Sequence, residues 1–407
     1  MPTLTPRQTG LRTREKMRLK ASQLLTAYLP ALLMDFAFSS LLTNTSFYTS
    51  HLRLSNAFLG GLMAVTTAFF ATLAIPFGRL SDRGERRWVL YLACILIGAV
   101  SIGLPFCRSR LHLLLIFPGV GIGMALFWPA YEAWLAEREG EGELIHRVML
   151  FNLFWSIGIT LGPAAAGYLY RDANPFTPFY LAGIFSVLTG GTIFSNKPNP
   201  AIRAVASEAE TAEPVFPPPA VRTTYLHVAR CANFASWFAL GVLRRLAPKL
   251  ILEMGLAAKV FGNLMLILGG VQTLTFIGLG GGYSTRWHYR LAPLLIVQTL
   301  AIISFIGIWQ IQHATLWAFA FVAIGVSVAF TYFSSLYYGL DRHADKGNKS
   351  GWHEAILGVG ILIGPFLGGI AADSQLGVQS PYLLCAAAIV IAIVIEILIF
   401  RKRRSVP

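Results

Sequence analysis

Residues 158–167 read GITLGPAAAG, and residues 358–369 read GVGILIGPFLGG. Laid one on the other, Gly158, Gly162, Pro163 and Gly167 fall on Gly360, Gly364, Pro365 and Gly369, a constant offset of 202 residues. The same offset lays GGLM (60–63) over GNLM (262–265), FYL (179–181) over PYL (381–383), and Gly123 over Gly325. One short match arises easily by chance. Several at one offset, close to half of a 407-residue chain, do not. The sequence therefore reads as two halves in parallel repeat.

Composition says what each half is made of. The chain is 55% apolar and 13% charged, with a mean hydropathy of +0.60. Soluble domains are roughly 45–50% apolar and about a quarter charged. A core of this size cannot hide that excess, so the natural solvent is lipid. Crossing roughly 30 Å of hydrocarbon takes about 20 helical residues. Twelve runs approach that length: 24–47, 56–78, 88–106, 111–134, 148–170, 178–195, 225–243, 259–281, 291–309, 315–338, 353–372 and 381–400. Strand-length alternation of apolar and polar residues is absent, which predicts helices and not a barrel. The expected fold is an all-α membrane protein, with six-helix bundles at 24–195 and 225–400. A basic tail (1–23) precedes them, a linker (196–224) joins them, and a second basic tail (401–407) follows. The linker is rich in Pro, Ala and Glu and poor in large apolar residues, so it reads as extended.

Twelve spans put both termini on one side. That side collects about 24 of the 33 Lys and Arg, against about 8 opposite, with Arg230 inside a span. The positive-inside rule makes it cytoplasmic. The net charge of +14 is thereby a matter of topology and of attraction to anionic lipid. A nucleic-acid role would need a basic face with stacking aromatics on a soluble domain, and none is visible. Residues 7–20 are basic, but the apolar run after them is too long for a signal peptide. Cys94, Cys107, Cys231 and Cys385 have no paired spacing, so neither a disulfide nor a metal site is expected. No cofactor is implied. The partners expected are a small-molecule substrate, the bilayer and possible coupling protons, for a monomer.

Between the second and third runs lies GRLSDRGERR, residues 78–87. It resembles the signature of the major facilitator superfamily for this loop, G-x-L-x-D-R-x-G-R-R. Gly78, Leu80, Asp82, Arg83, Arg86 and Arg87 match, while the second glycine comes one position early, at Gly84. The layout of two parallel six-helix halves with a basic central loop is similar to that family along the whole chain. The resemblance implies a secondary transporter working by alternating access. It also implies a cytoplasmic latch in which Asp82 faces the N-terminus of the eleventh helix, near Trp352, where free N–H groups carry partial positive charge. Arg83 and Arg86 would hold a second carboxylate, with Glu132 the nearest candidate. The offset places a second copy of the loop at 280–290, where Ser284 stands for Asp82 and His288 for Arg86, so the copy has decayed. GITLGPAAAG resembles the family's antiporter-associated signature on the fifth helix, although Ala166 stands where a glycine would precede Gly167. In the family that helix packs against the eighth helix of the other half. Its recurrence on the eleventh helix weakens it as an antiport marker.

Only Asp35, Glu132, Glu354 and Glu396 among the acids fall within spans, and only Asp35 is near mid-span. A carboxylate at bilayer centre costs several kcal/mol unless it faces a cavity, pairs or is protonated. Asp35 is therefore the proton-coupling candidate, against a static hydrogen bond to a neighbouring helix. The other three lie near span ends with water in reach, as do the histidines, His353 among them. Arg244 and Arg245 end the seventh span, where snorkelling to the interface competes with holding an anionic substrate. The resemblance implies a cavity lined by the first, fourth, seventh and tenth helices. Its candidate walls are Asn44, Trp128, Tyr131, Asn233, Trp237, Phe330 and Tyr332, whose aromatics suit amphipathic molecules. Many proton antiporters of the family carry an arginine on the fourth helix. Here Phe117 or a neighbour takes that position, with no arginine between Arg110 and Arg138. The leading expectation is proton-coupled export of a small organic compound. Uptake of a sugar or organic anion, and a non-transporting membrane sensor or enzyme, are the alternatives. An enzyme would need a cluster of His, Asp or Cys at one depth, and none is evident.

Overall fold

The computed structural model describes residues 6–83, 85–138, 144–195, 218–280, 287–311, 313–340 and 346–404. Gly84, the linker from 196 to 217, the loop 281–286 and the side chains of Asp82 and Glu354 lie outside the described residues. The helices are α1 (Pro6–His51), α2 (Asn56–Arg83), α3 (Arg86–Gly103), α4 (Arg110–Ile116), α5 (Pro118–Arg138), α6 (Leu144–Leu169) and α7 (Thr177–Ser195). They continue with α8 (Pro219–Arg245), α9 (Ala247–Glu253), α10 (Ala258–Gly280), α11 (Leu291–Gln310), α12 (Ala314–Leu340), α13 (Lys346–Ala372) and α14 (Ser380–Arg404).

Among the described residues, eleven stretches have the length and apolarity to cross a bilayer. The expected first span falls on α1, which is 46 residues long; its side chains before Ala27 lie outside the described residues, and Asp35, Ser39, Ser40, Thr43, Asn44, Thr45 and Ser46 make the described part polar. The chain tolerates this because α1 is wrapped by protein: from Met34 to Thr49 every side chain but Ser39 is buried. Polar groups at membrane depth sit where neighbours or cavities, not lipid, surround them. α1 is also helical from Pro6 onward, and α8 already begins at Pro219.

The packing repeats by halves. α1 packs on α6 and α7, α2 on α5, and α3 on α5 and α7. Shifted by one repeat these become α8 on α13 and α14, α10 on α12, and α11 on α12 and α14, and all are present. Two seams join the halves, α2 on α13 and α10 on α6, and each is the image of the other.

The repeated glycines are points of close approach. A Cβ on Gly158 would strike the Leu32 carbonyl of α1, and one on Gly162 would strike Ser39. Their counterparts Gly360 and Gly364 bear in the same way on Phe234, Trp237 and Phe238 of α8. Gly167 meets Ala258 and Gly262 of α10 across one seam, and Gly369 meets Asn56 and Ala57 of α2 across the other. The motif thus does two jobs, seating α6 and α13 within their own halves and letting the halves touch. Such contacts need a hydrogen in place of a side chain.

The repeat is broken where α4 and α5 divide before Pro118 while α12 is continuous, and again after α8. α8 stops at Arg245, Leu246 bends away (φ −108°, ψ −42°), and α9 resumes at Ala247 with Pro248 in its first turn. Proline has no N–H and collides with the carbonyl four residues back, here that of Arg244. The neighbouring carbonyl of Arg245 accepts a hydrogen bond from Ser46 Oγ of α1 at 2.6 Å. α9 is packed inside the protein: Leu246, Ala247, Leu250 and Ile251 are all buried.

Candidate functional site

The end of the bundle away from the chain termini, here the distal end, is where the halves are locked. Asp373, just past the end of α13, accepts from the backbone N–H of Asn56 at 3.1 Å and of Ala57 at 2.6 Å. Those are the first N–H groups of α2, which a helix cannot satisfy itself. Asn56 Nδ2 also donates to Asp373 Oδ1 (3.0 Å) and to Glu253 Oε2 (2.9 Å). Lys249, 1% exposed, donates to Asn56 Oδ1 at 2.8 Å and pairs with Glu253. A carboxylate of one half thus caps a helix of the other, with a buried ammonium behind it. The image seam lacks this: Ala258 stands for Asn56 and Arg171 for Asp373. It holds through glycine contacts, the Tyr168–Asn263 hydrogen bond, and Ser156 with Thr273 at 3.1 Å. Asp373→Asn should weaken the cap by about 0.5–2 kcal/mol and open the distal end. Spin labels at Arg53 and Gln375 would then report a longer distance population, and an unchanged distribution would refute the role.

Asp35 lies at mid-α1, 5% exposed, against Gly158 of α6. Its Oδ2 is buried without a hydrogen-bond partner, so the alternative of a static hydrogen bond through that oxygen is not realised. Asp35 feels the charges of Arg244 and Arg245, yet neither guanidinium comes within 4.0 Å of its carboxylate. The arginines end α8 as expected, but the chain does not leave the protein there. The second half continues through α9, so Arg244 is the counterpart of Leu42, nine residues short of the end of α1 at His51. At 1.5 Å per residue that is roughly 14 Å of helix. Both arginines are half-buried: Arg244 Nη2 donates to Gln272 Oε1 of α10 at 3.2 Å, and its Nε is buried with no partner. Pro248 was the sequence signal for this break.

The cavity candidates divide. Trp237 and Tyr332 meet with ring centroids 5.8 Å apart, and the indole N–H of Trp237 and both amide atoms of Asn233 have no partner. His353, expected near a wet span end, is 1% exposed, with Nδ1 2.9 Å from Ser335 Oγ and its ring 4.9 Å from that of Tyr332. Glu396, also expected within reach of water, is fully buried and accepts from Gln298 Nε2 at 2.9 Å. Both are shielded because α14 and α13 pack against α11 and α12 there. Tyr131 donates to the Ala27 carbonyl at 2.7 Å and stacks on Phe127, beside the half-buried Trp128. Asn44 donates to the Pro175 carbonyl at 2.9 Å, tying α1 to the loop before α7. Phe330 joins Trp287, Tyr225 and Tyr338 in a separate aromatic cluster. A cleft of about 620 Å³ opens at the distal surface beside Tyr170, Asp172 and Lys259; none of the cavity candidates lines it.

In the loop after α2, Arg86 Nη1 reaches Ser81 Oγ at 3.4 Å, and Ser81 Oγ donates to the Gly78 carbonyl at 2.7 Å, so the turn is tied to itself. Glu132, Arg83 and Leu80 are exposed, Arg87 is half-buried, and Gly78 packs near Pro129. The contact expected of Asp82 lies outside the described residues.

Two helical halves, built of long apolar helices, meet around a polar, partly unpaired interior. The profile of the Major Facilitator Superfamily matches residues 24–351, and the chain belongs to that family. It is 34% identical over 125 residues to the MFS-type transporter MJ1317 of Methanocaldococcus jannaschii, covering 30% of each chain. It is 30% identical over 134 residues to the bacillibactin exporter of Bacillus subtilis, covering 32% of this chain and 33% of that one. These matches thus span about a third of the relatives' length. In fold it is similar to a bacterial homolog of the human lysosomal transporter Spinster, solved inward-facing and unoccupied. That likeness has a TM-score of 0.75 and 15% identity, over 94% of this chain and 97% of the other.

Proposed function

We propose that the protein is a secondary active transporter that exports a small organic solute in exchange for protons, by rocking its halves about the interior around Asp35. The observation that carries this reading is the Asp35 carboxylate, nearly sealed from solvent at mid-helix with one oxygen unpartnered. An acid so placed is costly unless it exchanges protons or faces a ligand. The distal lock and the inward-facing relative support a state closed at the distal end. The charge bias of the loops supports an orientation with both termini cytoplasmic, in the cytoplasmic membrane. The likeness to an exporter over a third of the chain favours outward movement.

The test uses purified full-length protein. Solutes that raise its melting temperature are collected first, since a ligand of the native state stabilises it. Each is then added to proteoliposomes holding a pH-sensitive dye and a pH gradient. The expected result is solute-dependent collapse of the gradient. Solute flux with no proton movement would remove the coupling, and no flux for any stabilising solute would remove transport. Orientation is checked with a reporter fused at the C-terminus: cytoplasmic activity is expected, and periplasmic activity would reverse the topology.

The loop 78–87 retains its expected role as the latch of the opposite end. Asp82→Asn should slow turnover and favour the state closed at the distal end while leaving expression unchanged. Transport at full rate in that variant would show the loop to be a topology signal only.

A further inference from the structure

Arg244 and Arg245 sit where lipid-buried chains rarely keep charge. Three observations describe what surrounds them. First, the neighbourhood is cationic: two guanidiniums act through space on one carboxylate, Asp35, without pairing with it. The next charges toward the distal end, Lys249 and Glu253, neutralise each other. Second, binding capacity is left over. Arg244 Nε is buried and unpartnered, as are Gln272 Nε2 and Asp35 Oδ2. Among the described residues the Arg245 guanidinium makes no hydrogen bond. Third, the polar groups are aligned. On a helix turning about 100° per residue, Asn233, Trp237 and Arg244 fall within roughly 40° of one another around α8. The unpartnered amide of Asn233 and the unpartnered indole N–H of Trp237 therefore continue the stripe below Arg244.

We propose that Arg244 and Arg245, with Gln272 beside them and Asp35 opposite, form the head-group site for an amphipathic organic anion. The ligand is a carboxylate, sulfonate or phosphate ester on an aromatic or apolar body. Guanidinium presents a planar fork of donors that matches such groups bidentately. A buried cation without a counterion is unfavourable, and a ligand anion supplies one. The body lies against Trp237 and Tyr332, whose rings are 5.8 Å apart. Asp35 competes with the ligand for the arginines, which makes it a negative determinant of anion affinity. The inference rests on the reading of the interior as a solute path and names the solute's class.

The experiment keeps the ring constant and changes the head. Purified full-length protein in a neutral detergent is titrated with 1-naphthoate, naphthalene-1-sulfonate, 1-naphthyl phosphate and 1-naphthylmethylammonium. Melting temperature and tryptophan fluorescence are followed. A saturable rise with at least one anion is expected, and none with the cation. Arg245→Gln should weaken anion binding at least about tenfold, and Arg245→Lys, which keeps charge but loses the fork, by less. Asp35→Asn should tighten it about fivefold or more, in the range of ordinary coupling between sites. That gain is something a merely structural role would not produce. Should Arg245→Gln fail to fold, Arg244→Lys and Asp35→Asn carry the test. Preference for the cation, no response to any of the three anions, or wild-type anion affinity in the arginine variants would overturn the proposal. Arginine-dependent binding without flux in proteoliposomes would leave this site standing and remove the transport reading. Flux indifferent to head-group charge would do the reverse.

Discussion

In the Asp35→Asn protein, accumulation of solute driven by a pH difference should fall to background while counterflow exchange persists. Asparagine holds the shape of the protonated acid and cannot release a proton, so a cycle that needs both forms is stopped at one of them. Exchange of solute for solute needs no net proton movement and requires only that the halves rock with solute bound. The same substitution removes the carboxylate facing Arg244 and Arg245, so the variant's melting temperature should depend more steeply on added organic anion than the wild type's. Retained pH-driven accumulation would show that Asp35 is not the coupling acid. Glu396, buried on α14, would then be the next site to test.

Gly364→Val should leave little folded protein. A Cβ at this position runs into the Phe238 carbonyl oxygen of α8, with the carbonyl carbon at 3.0 Å and the Cα at 3.3 Å. Every one of those atoms is backbone, so no rotamer change makes room and α13 must leave α8. Overpacking costs about 1–3 kcal/mol even where side chains can give, and here they cannot. Gly358→Val, six residues earlier on the same helix, adds the same side chain where nothing lies within 4 Å. Size-exclusion profiles after detergent extraction should separate the two, with a monodisperse peak for Gly358→Val and loss of that peak for Gly364→Val. Equal behaviour would mean that the glycine contact does not hold the second half together.

The halves were legible because the demand for close approach is periodic. Each copy needs a glycine at the same helix crossings, and Gly158, Gly162 and Gly167 recur for that reason as Gly360, Gly364 and Gly369. Arg244 and Arg245 do end the span, at the close of α8, but hydropathy treats that charge as the end of the path. Only the helix break after Arg245 and the buried α9 show that the path continues. His353 and Glu396 were read as wet from their distance to span ends, a measure blind to which neighbours cover them. Phe330 was grouped with Trp237 because both are aromatic and on helices expected to line the cavity. The structure sends Phe330 to another cluster. The distal lock could not be read at all: Asn56, Lys249, Glu253 and Asp373 are scattered over more than 300 positions and come together only through the fold.

The two seams differ in what an electrolyte can do to them. One is closed by a carboxylate on a helix end and a buried lysine, the other by glycines, hydroxyls and a tyrosine. Mobile ions screen exposed charge over about 8–10 Å at ordinary salt, and they leave van der Waals contacts alone. As the distal end parts and water enters, salt in that compartment can stabilise the separated charges of the first seam and do nothing for the second. The molecule then opens like a door with one magnetic catch and one hinge: ionic strength sets how easily the α2–α13 edge lets go, while the α6–α10 edge keeps its grip at any salt concentration.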